Sequence, residues 1–154
     1  MAPYYSRKVK MPFQDALDKI TTCLQRQGFG IITTIDLTDT FKQKLNVAFR
    51  NYKILGACNP QFAYNAVSLE SHMGVMLPCN VAIQEHENGE VEISAINPLD
   101  NIDKALKSTQ LAGLATEVGN RLRAALDDIE HDPSEKHVDA LPTEHGDTAY
   151  QYSI

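Results

Sequence analysis

The apolar positions of this chain recur with two periods, near four in some stretches and two in others, which marks helices and strands in turn. Tyr4 to Lys10 reads as a first strand. Phe13, Leu17, Ile20 and Leu24 follow at spacings of four, three and four, Ala16 and Cys23 widen the same helical face, and Gly28 stands where a left-handed cap would close it. The run Phe29 to Ile35, rich in β-branched residues, reads as a strand with Phe29, Ile31, Thr33 and Ile35 on one face. A short helix is predicted from about Asp39 to Leu45, with Thr38 as its cap and Phe41 and Leu45 on its buried side. Tyr52 to Cys58 is the next strand, and Asn59-Pro60 starts a helix, Asn as cap and Pro at the first helical position. Phe62, Ala63, Ala66 and Val67 supply its apolar face as far as Gly74. Strand character resumes from Val75 to Glu85, and Pro78, with no N–H for a ladder, belongs there on an edge, at a strand start or at a bulge.

Glu87-Asn88-Gly89-Glu90 signals a hairpin, and the hydrophobic alternation selects its register. A two-residue turn would put Val81 and Ile83 on the face opposite to Val91, Ile93 and Ala95. A three-residue loop pairing residue 86 with 90 sets Ile83 beside Ile93 and Val81 beside Ala95, on one buried face, with Gly89 in the left-handed position. Continued, this register sets Cys79 opposite Asn97. The segment from Asn97 to Lys107 is open between a loop and a helical turn. Thr109 or Ser108 caps a long last helix on which Leu111, Leu114, Val118, Leu122, Ala125 and Ile129 keep one face. These elements describe one α+β domain over residues 1–129, a mainly antiparallel sheet with helices packed on one face. Apolar periodicity stops after Ile129, and residues 130–154 read as an acidic, flexible tail, with Tyr150-Gln151-Tyr152 as a lesser candidate for docking onto a neighbour.

Composition adds exclusions. At 154 residues, 43% hydrophobic and 22% charged, the chain is long enough for one core without disulfide or metal staples. Its apolar runs are far too short to span a bilayer, and Met1 to Lys8 has no apolar stretch of the secretory kind, so the expected compartment is the cytoplasm. Three scattered cysteines there suggest reduced thiols. Of the net charge of −6, −5 lies from Glu130 to Ile154, where six acids face the single base Lys136; residues 1–129, with 14 acids and 13 bases, carry −1. Arg7-Lys8-Lys10 is the one basic cluster, and on a strand it reads as a guarded edge, so no nucleic-acid partner is expected.

Chemistry concentrates in Ala57-Cys58-Asn59-Pro60 and Pro78-Cys79-Asn80-Val81, each joining Cys to Asn beside a proline. Cys58 lies just before a helix N-terminus, whose dipole and N–H groups favour thiolate. Cys79 shares an apolar strand face with Leu77, Val81 and Ile83, where burial would raise its pKa. The plain reading of both is core packing. The chemical reading is a thiol site, with one cysteine attacking and the other resolving, or both holding a ligand. A separation of 21 residues is not a metal spacing, and His72 is the one histidine between them; His86, His131, His137 and His145 match no metal pattern either, so no metal is assigned. Phosphate-loop, nucleophile-elbow and dinucleotide fingerprints are absent.

Three stretches together carry a resemblance: Phe13-Gln14-Asp15-Ala16 running into Gly28-Phe29-Gly30-Ile31, then Tyr52-Lys53-Ile54-Leu55-Gly56-Ala57-Cys58-Asn59-Pro60, then Leu77-Pro78-Cys79-Asn80-Val81. They resemble the domain of unknown function 302 family over about residues 5 to 129. The resemblance implies a small α+β domain that pairs into dimers, and no established reaction. The family's Asp-Pro after the last strand stands here as Asn97-Pro98. The expectation is a cytoplasmic, homodimeric, non-enzymatic protein that binds a small ligand or partner in a pocket bordered by Cys58, Asn59, Cys79 and Asn80, with Tyr52 and Lys53 nearby and the cofactor unknown. The rival from another class is a redox or sulfur-transfer enzyme with Cys58 as nucleophile and Cys79 resolving, which needs their Cα atoms within about 7 Å. A purely structural assembly module is the third reading.

Overall fold

Two-residue alternation in the middle of the chain becomes the centre of a five-stranded antiparallel sheet. The computed structural model describes residues 2–106 and 108–130. In chain order the elements are β1 (Tyr4–Val9), α1 (Phe13–Arg26), β2 (Gly30–Asp36), α2 (Leu37–Leu45), β3 (Tyr52–Cys58), α3 (Pro60–Leu69), a 3-10 segment (Ser71–Met76), β4 (Cys79–Glu85), β5 (Val91–Ile96), α4 (Pro98–Leu106), α5 (Thr109–Asp127) and a last 3-10 turn (Asp128–Glu130). The strand order is β1-β5-β4-β3-β2, with every neighbouring pair antiparallel. This is the α+β architecture expected, with α1 and the long α5 against one face of the sheet.

Register decides which side chains reach that face. Val81 pairs with Ala95 and Ile83 with Ile93, the arrangement demanded by the alternation. The His86 N–H donates to the Glu90 carbonyl at 2.8 Å, closing the three-residue loop, and Gly89 takes φ +84°. Leu55, Val81, Ile83, Val91, Ile93 and Ala95 are buried beneath Ile20 and Leu24 of α1 and Leu122 and Ala125 of α5. Each fully buried aliphatic side chain contributes roughly 1.5–3 kcal/mol, so this seam dominates the stability of the sheet. Arg7 stands in register with Ile93, and its guanidinium reaches the end of α5, pairing with Asp127 at 3.1 Å and Glu130 at 2.9 Å. Gly28 follows α1 at φ +88°, and the next N–H, from Phe29, returns to the Leu24 carbonyl at 2.9 Å, delivering Phe29 into the core.

Three local expectations give way to longer-range pairing. In β2 the register steps from Ile31 opposite Ala57 to Thr33 opposite Gly56, leaving Ile32 as an extra residue. This bulge reverses the alternation, so Ile35 is 46% exposed rather than sharing a buried face with Phe29. The cap of α2 is Asp36, whose carboxylate accepts from the Asp39 N–H, and not Thr38; β2 runs directly into the helix, so the turn begins earlier. The Thr38 hydroxyl instead donates to the Arg50 carbonyl and accepts the Tyr52 N–H, and Leu45 lies exposed on a helix none of whose residues is fully buried. Residues from Val75 do not yet form a strand: Glu70 caps the 3-10 segment, and β4 starts at Cys79, directly after Pro78. The undecided segment after Asn97 is helical, as α4. Ser108, rather than Thr109, caps α5. The tail expected over 130–154 lies outside the described residues, apart from Glu130.

Candidate functional site

The end of the sheet where β3 finishes and β4 begins is where the two cysteine segments meet. Ala57 pairs directly with Cys79, and Cys58, the next residue, stands where β3 turns into α3. Both cysteines line a partly enclosed cavity of about 60 Å³ between the sheet end and α3, α4 and α5. Its walls are overwhelmingly apolar, with Phe29, Phe62, Leu111 and Ala115 among them, and Asn59 at its border. Met73 and Met76 add two thioethers from the 3-10 segment. Pattern reading overlooked Met73, Met76 and the α4 residue Ile102, which also lines the cavity. Pro98 at a helix start, with Leu99 and Ile102 three apart, was the available signal for α4.

Asn59 is occupied by the helix it starts. Its side-chain oxygen accepts from the Gln61 N–H at 3.1 Å and the Phe62 N–H at 3.2 Å, and its carbonyl accepts from Ala63 N–H at 2.9 Å. Pro60 has no N–H. The first turn of α3 therefore has no N–H left to stabilise a thiolate at Cys58, which removes the physical basis of the expected activation. Burial pushes the Cys58 thiol up, and pushes Cys79 up to about 12 with a further contribution from neighbouring Cys58. At neutral pH both sulfurs are thiols.

These residues make a direct prediction. In the native protein at pH 7, iodoacetamide should label Cys58 slowly and leave buried Cys23 and Cys79 unmodified until the protein unfolds. Asn59→Ala should cost about 1 kcal/mol of stability and, by releasing two helix N–H groups beside the thiol, accelerate labelling of Cys58. Rapid labelling of wild-type Cys58 well below pH 7 would contradict this account.

The other three candidates lie elsewhere. Asn80 follows Cys79 on a strand, so it faces the opposite side, where with Tyr52, Gln84, Ser94 and Ile96 it lines a broad open hollow on the helix-free face. Near this face the Ser6 hydroxyl donates to Glu92, which also meets His86 Nε2 at 2.8 Å; these bonds, Ser6 first, hold the Glu92 carboxyl below its ordinary pKa. Lys53 stands in register between Asp36 and Ile83 and borders neither space. Among the described residues no group of three or more His, Cys, Asp or Glu is placed to share a metal ion, and His72 is engaged with Glu70 at 2.7 Å. No helix among the described residues is long and apolar enough to cross a membrane.

Comparison with known proteins matches this geometry to a family rather than to an activity. The family model described as Domain of unknown function DUF302 matches residues 5–129. A crystal structure of an uncharacterized conserved protein DUF302 from Bacillus stearothermophilus is similar, with 25% identity and a TM-score of 0.75 over 82% of this chain and 98% of that one. No curated protein matches. With the family model spanning the sheet and the helices that enclose the cavity, the chain belongs to the family Domain of unknown function DUF302.

Proposed function

We propose that this protein is a non-enzymatic, homodimeric binding module that takes a small, uncharged ligand into the cavity at the sheet end. The observation that carries the reading is the cavity itself: an apolar space with Cys58 and Cys79 in its wall and Asn59 at its border. Its 60 Å³ limits the occupant to a few heavy atoms, since an apolar cavity that admits benzene measures about 150 Å³. Two thiols held protonated by burial argue for binding over nucleophilic chemistry, and so against the redox alternative. For the homodimer, the support is the sheet face without helices, where Tyr4 is 55% exposed beside Tyr52, Ile54 and Ile96. Cytoplasmic residence belongs to the same reading.

Xenon is a probe of suitable size. Under xenon pressure, methyl resonances of Leu111, Ala115 and Met73 should shift selectively in NMR spectra, and Ala115→Leu, which fills the space, should abolish the response. Ala66→Val serves as a milder filler should the first variant lose stability. Shifts spread evenly over the protein, or unchanged in both fillers, would defeat the cavity reading. Sedimentation equilibrium tests the dimer separately: a monomer mass at micromolar concentration removes it.

A further inference from the structure

Where the start of the chain, the end of β5 and α5 converge, the surface holds a hollow of about 410 Å³, within the roughly 300–1,000 Å³ usual for small-molecule sites. It shares only Ala115 with the cavity at the sheet end. Asn120 and Arg123 reach its rim from α5, three residues apart and so on one helix face. The Arg123 guanidinium lies 4.0 Å from the centre of the Tyr5 ring. Among the described residues it meets no acid: Asp127 and Glu130 pair with Arg7, and Glu117 with Arg121. Stacking occupies the flat face of the guanidinium and leaves the N–H groups along its edge free, the fork that fits a carboxylate.

The floor of the hollow is polar as well. Asn97 is 3% exposed; its backbone N–H donates to the Pro3 carbonyl at 2.8 Å and its Nδ2 to the Ala2 carbonyl at 2.9 Å. Among the described residues no donor reaches its Oδ1. Gly119 keeps this floor clear, since a Cβ there would stand 3.3 Å from the Tyr5 hydroxyl and 3.9 Å from Asn97 Oδ1. Leu99 and Ala115 supply an apolar wall beside it.

We propose that this hollow is a second binding site, which takes a small organic acid with an apolar body. Its carboxylate is held by Arg123 and Asn120, and a hydroxyl or amine on it donates to Asn97 Oδ1. The site goes beyond the cavity reading, because a small apolar space admits no charge, whereas here a cation waits at the rim. A carboxylate accepts two parallel bonds from the edge of the guanidinium. A buried acceptor without a donor costs free energy, which an O–H or N–H from the ligand relieves. No second Lys or Arg lines the hollow, so one negative charge suits it better than the two of a phosphate. Leu99 and the Tyr5 ring favour carbon beside the charged end. The sequence hid this set because Tyr5 and Arg123 stand near opposite ends of the domain.

Mandelate, which carries a carboxylate, a hydroxyl and a phenyl ring, is the probe. In an NMR titration of the full chain, Arg123 Nε, the Asn120 side-chain amide and the Tyr5 ring should shift together, with a Kd on the order of 1 mM. Added salt should weaken the binding, because the ion pair lies at an exposed rim. Neutral mandelamide has nearly the same shape and should bind at least ~10-fold more weakly, and Arg123→Gln should weaken mandelate by a similar factor. Phenylacetate, without the hydroxyl, should lose at least ~3-fold. Arg26→Gln removes the same charge outside the hollow and should bind as wild type. Equal affinity for either analogue, wild-type affinity in Arg123→Gln, or displacement of mandelate by an equal concentration of inorganic phosphate would overturn the assignment. So would the absence of any shift at about 10 mM mandelate.

Discussion

Replacing Phe29 by alanine is expected to destabilise the protein by about 3–5 kcal/mol and at the same time enlarge its cavity enough to admit benzene. Phe29 is 1% exposed and belongs both to the main core and to the cavity wall, so the space left by its ring joins the existing 60 Å³. Surrounding groups cannot collapse into it freely, because the Phe29 backbone is fixed by the Gly28 turn and its bond to Leu24. The removed contacts and the residual void then both add to the loss. Denaturant unfolding measures the first part. The second is a rescue: benzene binds the folded variant alone and should restore roughly 2.7 kcal/mol at a hundredfold excess over its Kd, while leaving wild type unaffected. A loss under about 1 kcal/mol, or equal benzene stabilisation of both proteins, would mean that Phe29 does not separate core from cavity.

Gly56→Ala should be nearly as damaging, costing about 3 kcal/mol and lowering Tm by about 10 °C. Gly56 sits buried in the middle of β3, opposite Thr33 at the bulge of β2. A methyl group there would stand 2.7 Å from Pro78 Cγ and 3.3 Å from Thr33 Cβ, with Thr33 Oγ1 closer still. The hydroxyl can rotate, but the proline ring and the bulged backbone have little freedom, so β3 must move away from its neighbours. Ala57 and Cys58 follow directly on β3, so the shift also displaces the cavity wall. Thr33→Ala in the same background should recover part of the loss, seen as a favourable coupling in a double-mutant cycle. A single variant as stable as wild type would show that the approach between the strands is looser than described.

The candidate site divides along the same line as the fold. Asn59-Pro60 announces a helix start, and the cap forms as read, yet that success undoes the chemical expectation beside it, since the cap absorbs the N–H groups that Cys58 would have used. Treating Cys79-Asn80 as one segment obscured the strand period, which sends consecutive residues to opposite faces. Cys79 accordingly lines the cavity, while Asn80 lines the open face with Tyr52. Lys53 was proposed by nearness in sequence, a weak guide along an extended strand where each residue advances the chain by about 3.3 Å.

Short-range physics was written in the chain. The β4–β5 register, the left-handed residues Gly28 and Gly89 and the apolar face of α5 depend on neighbours a few positions away, so alternation, helical spacing and turn chemistry determined them. Long-range pairing decided the rest. The extra residue at Ile32, the Asp36 cap of α2 and the cavity that Cys58 and Cys79 both line all require knowing that β3 lies between β2 and β4. No local periodicity encodes strand order, because it is set by how whole faces bury against each other once the chain has closed on itself.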